Sequence, residues 1–482
     1  MIEFSDYLQD LMNRYSVSAS ELSEETGIDR TVVYRYMKGK RVPSSVAVVE
    51  KLADALQISE KERKRLLQEY DKAILGESMV FSYQYMQKML LDLDSLNENI
   101  LLEKTSWSTT IEMRTENNFV CLHSQEEIIT CILDLFRHAA YFDDSTEDLF
   151  VIMQPTYEGV QRFIPSIFRD KSMKVRQLIC MEQNSRKDYK NLILLNNVLQ
   201  PCFFLPNYEV YYYYDDLHAH INGMSFMPNI IIARDYVIQF DYKMEEGTVF
   251  QSREYAQVVR RQAERMLAES RSLLEKGQVS NMMENLLGTL KGRDAVSLSC
   301  QPCMGKCLDK SITQKHMRAF PGKDEFIASL FDVHGEWSEE SYEESAPMRK
   351  AVSYGSIRGL NEFMRTGIID EFPKTLYTPL APAERLTVLK RMIELMQRGI
   401  IQYYFISDEI PLPTHVECYA DVKSKQFLIS KVSDGTILQL AINEKSLYNA
   451  FFAYLEYLDQ KGLICSFEES LACMQKLYEK YL

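Results

Sequence analysis

Proline and glycine are scarce, 14 and 18 in 482 residues. Long disordered linkers are therefore not expected, and the length predicts about two to four packed domains. The chain also lacks any run of about 18 uncharged apolar residues, which excludes a helical membrane span on hydropathy grounds. Its first residues, MIEFSDYLQDLM, carry acids where the basic region of a signal peptide would stand. Positive charge is in deficit. Lys and Arg total 55 against 69 Asp and Glu, a net charge of -14, so non-specific coating of nucleic acid or of an anionic membrane is disfavoured. Catalytic signatures are missing: no GxxxxGK[ST], no GxGxxG, no GxSxG and no HExxH. Ser356 in YGSIRG has no partnered base nearby and is read as a turn or helix start. No enzymatic activity and no cofactor are expected. The 10 cysteines are scattered, and Cys131, Cys180 and Cys202 lie in apolar runs. They read as reduced, buried thiols of a cytoplasmic protein.

What is present is concentrated in Ser18–Ser44. Ile2 to Tyr15 forms a helical pattern through Phe4, Leu8, Leu11 and Tyr15. Ser18 or Ser20 can cap a second helix with Leu22 in its core. Gly27 supplies a positive φ for a tight turn, Ile28 plugs the angle, and Asp29 caps a third helix to about Met37. Gly39 ends it. Pro43 and Ser44 start a fourth helix with Val46, Val49, Leu52, Ala53 and Leu56 inward. Ser59 with Glu62 is a capping box that opens a fifth. From Asp29 to Arg41 one acid faces Arg30, Arg35, Lys38, Lys40 and Arg41. A basic patch on an acidic chain predicts a localised polyanion contact.

Leu22, Gly27, Ile28, Val33, Tyr36, Gly39, Lys40, Arg41 and Pro43, followed by Leu52, Ala53, Ala55 and Leu56, make this segment resemble the Cro/phage-repressor (XRE) helix-turn-helix family. The resemblance covers the first 70 or so residues. It implies that the second helix of the motif enters the DNA major groove and that the loop after it grips phosphate. On this chain, Arg30, Thr31, Tyr34 and Arg35 become the base-reading candidates. Arginine pairs bidentately with guanine, and threonine meets a thymine methyl. Lys38, Lys40, Arg41 and Ser44 become the phosphate candidates. Ala19 stands where the family often has a phosphate-gripping Gln, and Met37 replaces a frequent Glu. Tyr36 is read as a core aromatic.

From about Met79 to Lys104, Met79, Met86, Met89, Leu90, Leu93, Leu96 and Ile100 mark a long amphipathic helix. It either packs on its own domain or forms a dimer. Beyond it, Ser124 with Glu127 caps a helix to about Tyr141. Leu149–Gln154, a helix around Gly159–Phe168, and Val175–Met181 then read as a βαβ unit with a parallel strand pair. Asn207–Asp216 is strand-forming, Asn229–Tyr242 reads as two strands about Arg234 and Asp235, and Ser252–Glu275 reads as one long helix. Near the C-terminus, Lys425–Ile442 is a hairpin turning at Asp434 and Gly435, and Asn443 caps a helix ended by Gly462. Hairpin followed by helix thus occurs twice, suggesting two related lobes. Ala383–Arg398 is a helix stopped by Gly399.

Cys300, Cys303 and Cys307, with His316 nearby, are the clustered thiols. They could hold tetrahedral zinc or an iron–sulfur cluster, or act as redox thiols. The missing second cysteine pair favours plain buried cysteines, so no metal is assigned. Asp215, Asp216, His218 and His220 could ligate a metal or an anion, but read better as a polar strand end. Tyr208 to Tyr214 and Tyr403 to Phe405 could line a pocket, but read better as buried strands.

The expected architecture is multidomain. An all-α helix-turn-helix domain spans 1–72. A helical linker and possible dimerisation helix spans 73–108. A sensor-like α/β lobe spans 109–285, and a second α/β or α+β lobe spans 286–482. The expected function is a cytoplasmic, sequence-specific transcriptional regulator. It would bind double-stranded DNA as a homodimer and answer to a small-molecule or peptide effector, without a membrane. The alternatives are a DNA-targeted or autoregulated enzyme and a defence or antitoxin-type module for protein interaction.

Overall fold

A computed structural model describes the chain except for residues 1–2, 96–117, 144–146, 156–157, 183–188, 216–226, 278–294, 320–322, 335–350 and 433–436. It is multidomain, with an N-terminal helical region followed by helices and mixed sheets. Two compact units divide it, Met1–Gln87 with Ala450–Lys461, and Lys88–Asn449 with Gly462–Leu482.

The first unit holds α1 (Phe4–Arg14), α2 (Ala19–Thr26), α3 (Arg30–Met37), α4 (Val46–Ala55), α5 (Glu60–Leu75) and the start of α6 (Glu77–Ser95). Its core is the apolar stripe of each helix, with Leu8, Leu11, Leu22, Val33, Val49, Leu52 and Leu66 fully buried. Capping boxes at Ser18 with Glu21 and at Ser59 with Glu62 satisfy the free N–H groups at two helix starts. Glu62 also accepts from Arg14 (2.8 Å) and Tyr15 (2.6 Å), tying α1 to α5. The distant segment Ala450–Lys461 completes this unit. Tyr83 stacks on Tyr457 (4.1 Å between centroids) and on Tyr454 (5.6 Å). The buried Asp71 carboxylate accepts from the Tyr457 hydroxyl (2.9 Å) and is ion-paired with Lys461. A charge removed from water in this way needs both partners.

The second unit contains two sheets. The first is built from β1 (Phe119–Leu122), β2 (Leu149–Ile152), β3 (Val175–Glu182), β4 (Tyr208–Asp215), β5 (Asn229–Ala233), β6 (Tyr236–Phe240), β7 (Gly247–Gln251) and β8 (Arg271–Ser272). Its helices are α7 (Gln125–Phe142), α8 (Glu158–Phe168), α9 (Tyr189–Phe204) and α10 (Arg253–Glu269). The order is β1-β7-β6-β5-β2-β3-β4-β8. β2, β3 and β4 are parallel, and β5, β6, β7 and β1 continue antiparallel on the other side of β2. The βαβ unit read from the sequence is therefore real. Residues 234 and 235 form the β5–β6 turn, with Arg234 at φ 54°.

The second sheet contains β9 (Leu274–Gly277), β10 (Ala295–Leu298), β11 (Ala351–Gly355), β12 (Ile401–Phe405), β13 (Val416–Asp421), β14 (Gln426–Val432) and β15 (Ile437–Ile442). Its helices are α11 (Lys310–His316), α12 (Lys323–His334), α13 (Ile357–Thr366), α14 (Pro382–Gln397), α15 (Lys445–Gln460, whose residues from Ala450 belong to the first unit) and α16 (Phe467–Tyr481). Its order is β12-β11-β10-β13-β14-β15-β9. Here β10, β11 and β12 are parallel, while β13, β14, β15 and β9 run antiparallel from the other side of β10. From β1 to β7 and from β9 to β15 the strand pairing is thus the same. The two lobes suspected from hairpin and helix share one topology.

Two local expectations change. The helix expected over Ser252–Glu275 stops at Glu269. Residues 271–272 then pair with β4 and residues 274–277 with β15, so edge pairing overrides an amphipathic pattern. Asn443 does not cap the helix after the hairpin. Glu444 does, accepting from the Ser446 N–H at 2.7 Å. The helix expected over Met79–Lys104 begins at Glu77 and is described through Ser95, with Val80, Met86, Met89, Leu90 and Leu93 buried.

Candidate nucleic-acid interface

The turn between α2 and α3 is locked by side chains of its own sequence. Gly27 takes φ 70°, a left-handed conformation that suits glycine. The Ser23 hydroxyl donates to the Ile28 carbonyl (2.6 Å), and Thr26 Oγ1 donates to Leu22 (2.6 Å) while accepting from the Ile28 N–H (3.3 Å). Asp29 caps α3 by accepting from the Thr31 N–H at 2.8 Å. That bond and the one to the Thr31 hydroxyl hold the Asp29 carboxyl below its ordinary range.

Within α3 the period of 3.6 sorts the residues by face. Val33 and Tyr36 enter the core, at 0% and 3% exposure. Arg30, Thr31, Tyr34 and Arg35 are exposed, Tyr34 at 52%. The base-reading candidates therefore share the free side of a packed helix. The helix closes with paired bonds from Lys40 N–H to Arg35 O (2.9 Å) and from Gly39 N–H to Tyr36 O (3.2 Å), made possible by Gly39 at φ 64°. This reversal leads the chain out as Lys38, Lys40, Arg41 and Ser44, all exposed, while Pro43 is buried. The Lys38 ammonium lies 5.9 Å from the Tyr34 ring centroid. The arrangement can place guanidinium and hydroxyl groups at base edges and ammonium groups at flanking phosphates.

Residues 3–66 match a family model described as a helix-turn-helix domain. The N-terminal region is a helix-turn-helix domain of the Cro/phage-repressor kind. No curated protein matches the chain. Among solved structures, the archaeal chromatin protein TrmBL2, whose structure is described as showing a novel mode of DNA binding, aligns at TM-score 0.22 and 10% identity. That alignment covers 51% of this chain and 84% of TrmBL2. Polyphosphate kinase from Porphyromonas gingivalis aligns at TM-score 0.23 and 12% identity over 70% of this chain, which spans 50% of the kinase. Both scores are too low to support an argument about this chain. No helix among the described residues is long and apolar enough to cross a membrane.

The other candidates disperse. Cys300 Sγ lies 3.5 Å from Ser356 Oγ, and Cys307 Sγ lies 3.8 Å from the Tyr403 hydroxyl. His316 is engaged through Nδ1 with Thr378 (3.1 Å) and through Nε2 with Glu384 (2.7 Å). These three do not gather around Cys303, which faces Glu371 and Glu417 instead. Ser356 accepts from the Gly359 N–H at 2.9 Å and so starts α13. Of the DDLHAH segment only Asp215 lies within the described residues. In the tyrosine run, Tyr208 and Tyr212 are buried in β4, and Tyr214 donates to Glu444 at 2.8 Å. Sequence reasoning missed Glu371 and Glu417.

Proposed function

We propose that this chain is a sequence-specific, DNA-binding transcriptional regulator. The observation that carries the proposal is the sorting on α3 and the segment after it. Val33, Tyr36 and Pro43 turn inward, while Arg30, Thr31, Tyr34, Arg35, Lys38, Lys40, Arg41 and Ser44 all face solvent. A helix-turn-helix domain used only as packing would have no need for a basic outer face on a chain of net charge -14. The chain acts as a homodimer on half-sites about one helical turn, roughly 34 Å, apart. The α/β lobes bind a small molecule or peptide whose differential affinity for two states changes DNA affinity. None of the ten cysteines is in a disulfide, in keeping with a reducing cytoplasm.

The test is fluorescence anisotropy on a selected duplex over a series of salt concentrations. Arg30→Ala and Arg35→Ala each weaken binding by about 1–3 kcal/mol and relax base preference, while Lys40→Ala lowers the salt slope by about 1 and leaves preference intact. Unchanged affinity in all three variants removes α3 from the DNA contact.

A further inference from the structure

The loop after β10 brings Cys303 against two glutamates that are remote in sequence. The Cys303 thiol and the carboxylates of Glu371 and Glu417 place one ligand atom each within 4.8 Å of one another. Glu371 follows α13, and Glu417 is the second residue of β13. Glu417 is only 7% exposed, and its Oε1 has no hydrogen-bond partner. Cys303 and Glu371 are half-buried, so the cluster is not sealed. None of the three is ion-paired among the described residues. A buried carboxylate oxygen with no donor is rare in folded proteins, because desolvation without a partner is unfavourable.

The surrounding bonds hold the three groups in place. Glu371 Oε1 accepts from the Met304 N–H (3.0 Å), and the Cys303 N–H donates to Ser353 Oγ (3.1 Å). The Tyr403 hydroxyl donates to the Cys303 carbonyl (3.0 Å). The buried Gln301 side chain clasps the two loops, donating to Ile368 O (3.0 Å) and accepting from the Asp370 N–H (2.9 Å). Gly359 packs so closely on the Cys300 carbonyl that a Cβ there would collide with it. Ligand orientation by such outer bonds is typical of metal centres. Burial raises both carboxyls and the thiol above their ordinary ranges, the direction expected of acidic groups that share a site without a cation.

We propose that Cys303, Glu371 and Glu417 form a binding site for a divalent transition metal of zinc type, with a fourth position open toward solvent. One sulfur and two carboxylate oxygens suit zinc better than magnesium or calcium, which avoid thiolate. On binding, the thiol proton and any carboxyl protons pass to water, and the metal takes their place as the positive charge of the cluster. The proposal is independent of the DNA-binding reading, and neither falls with the other.

The test uses the full chain purified without oxygen, loaded with zinc alone or cobalt alone. Wild type is expected to retain about one equivalent of zinc after desalting, and its cobalt form to show a thiolate-to-metal charge-transfer band. Cys303→Ser removes the band, and Glu417→Gln, which keeps the side-chain shape, weakens zinc binding at least tenfold. Cys300→Ser, outside the cluster, leaves both readouts unchanged. Less than about 0.2 equivalents of zinc in wild type, or equal binding in the Cys303→Ser and Glu417→Gln variants, overturns the proposal. So does a band lost in Cys300→Ser and kept in Cys303→Ser. Far-UV circular dichroism on each variant separates loss of metal from loss of fold.

Discussion

Ile152, the last residue of β2, pairs with Ile230 of β5, and Leu298, the last residue of β10, pairs with Cys418 of β13. The residue before each partner therefore occupies the same place in the two lobes. In the first lobe it is Asn229, in the second Glu417. Both are buried. The Asn229 amide donates to Asp241 O at 3.0 Å and to Phe240 O at 3.5 Å, so its polarity is consumed within the hairpin. Glu417 leaves one oxygen without a donor. Gln177 and Ser353, also at matching places, both bond to the loop leaving the central strand. One strand order thus supports two uses of the same position: a neutral amide that closes a turn, and a carboxylate left for a ligand. Shared topology does not carry shared chemistry.

Exchanging these residues breaks the comparison most directly. Asn229→Asp is expected to destabilise the protein by about 3 kcal/mol or more at neutral pH, because an unpaired charge replaces two donated bonds. Acidification should restore part of the loss, since a protonated carboxyl can donate once. Chemical denaturation at two pH values measures this. A change below about 0.5 kcal/mol would mean that the first-lobe site is more open than its burial indicates.

The glycines give the next effect. Gly359→Ala forces a methyl into the Cys300 carbonyl and is expected to destabilise by about 3 kcal/mol, whereas Gly159→Ala in α8, with nothing within 4 Å of its Cβ, should stay within about 0.5 kcal/mol. Equal effects would remove the argument that the second-lobe loops are held in close register.

The smallest effect is a slope. Glu417 and Glu371 have folded-state pKa values raised by burial. Such groups favour folding below the unfolded carboxyl value, and that stability is lost as pH rises through the folded value. Metal-free protein should therefore lose thermal stability as pH rises above the ordinary carboxyl range, and Glu417→Gln should flatten the decline. A steeper decline in the variant would contradict the assignment.

The helical region was legible residue by residue. Ser18, Gly27, Asp29, Gly39 and Ser59 act through caps and turns set by near neighbours, and the period of α3 separates Val33 and Tyr36 from Arg30, Tyr34 and Arg35. The βαβ order from Leu149 to Met181 was legible for the same reason. The equivalence of the lobes was visible only as hairpin followed by helix, because it resides in pairings between distant strands. The cluster in the second lobe was beyond reach. Cys303 has nearer thiols in sequence, yet the fold selects Glu371 and Glu417, delivered by a loop and a strand far along the chain. The short strands at 271–272 and 274–277 were lost within a helical pattern because their pairing partners, β4 and β15, lie far off in the sequence.

Selection of bound sequences from a random duplex library by the full chain is the most direct test of the central claim that α3 reads DNA. A two-fold-related motif should emerge, with half-sites about 34 Å apart, and it should disappear in the Arg30→Ala, Arg35→Ala double variant. No enriched motif, or the same motif from the double variant, would contradict it.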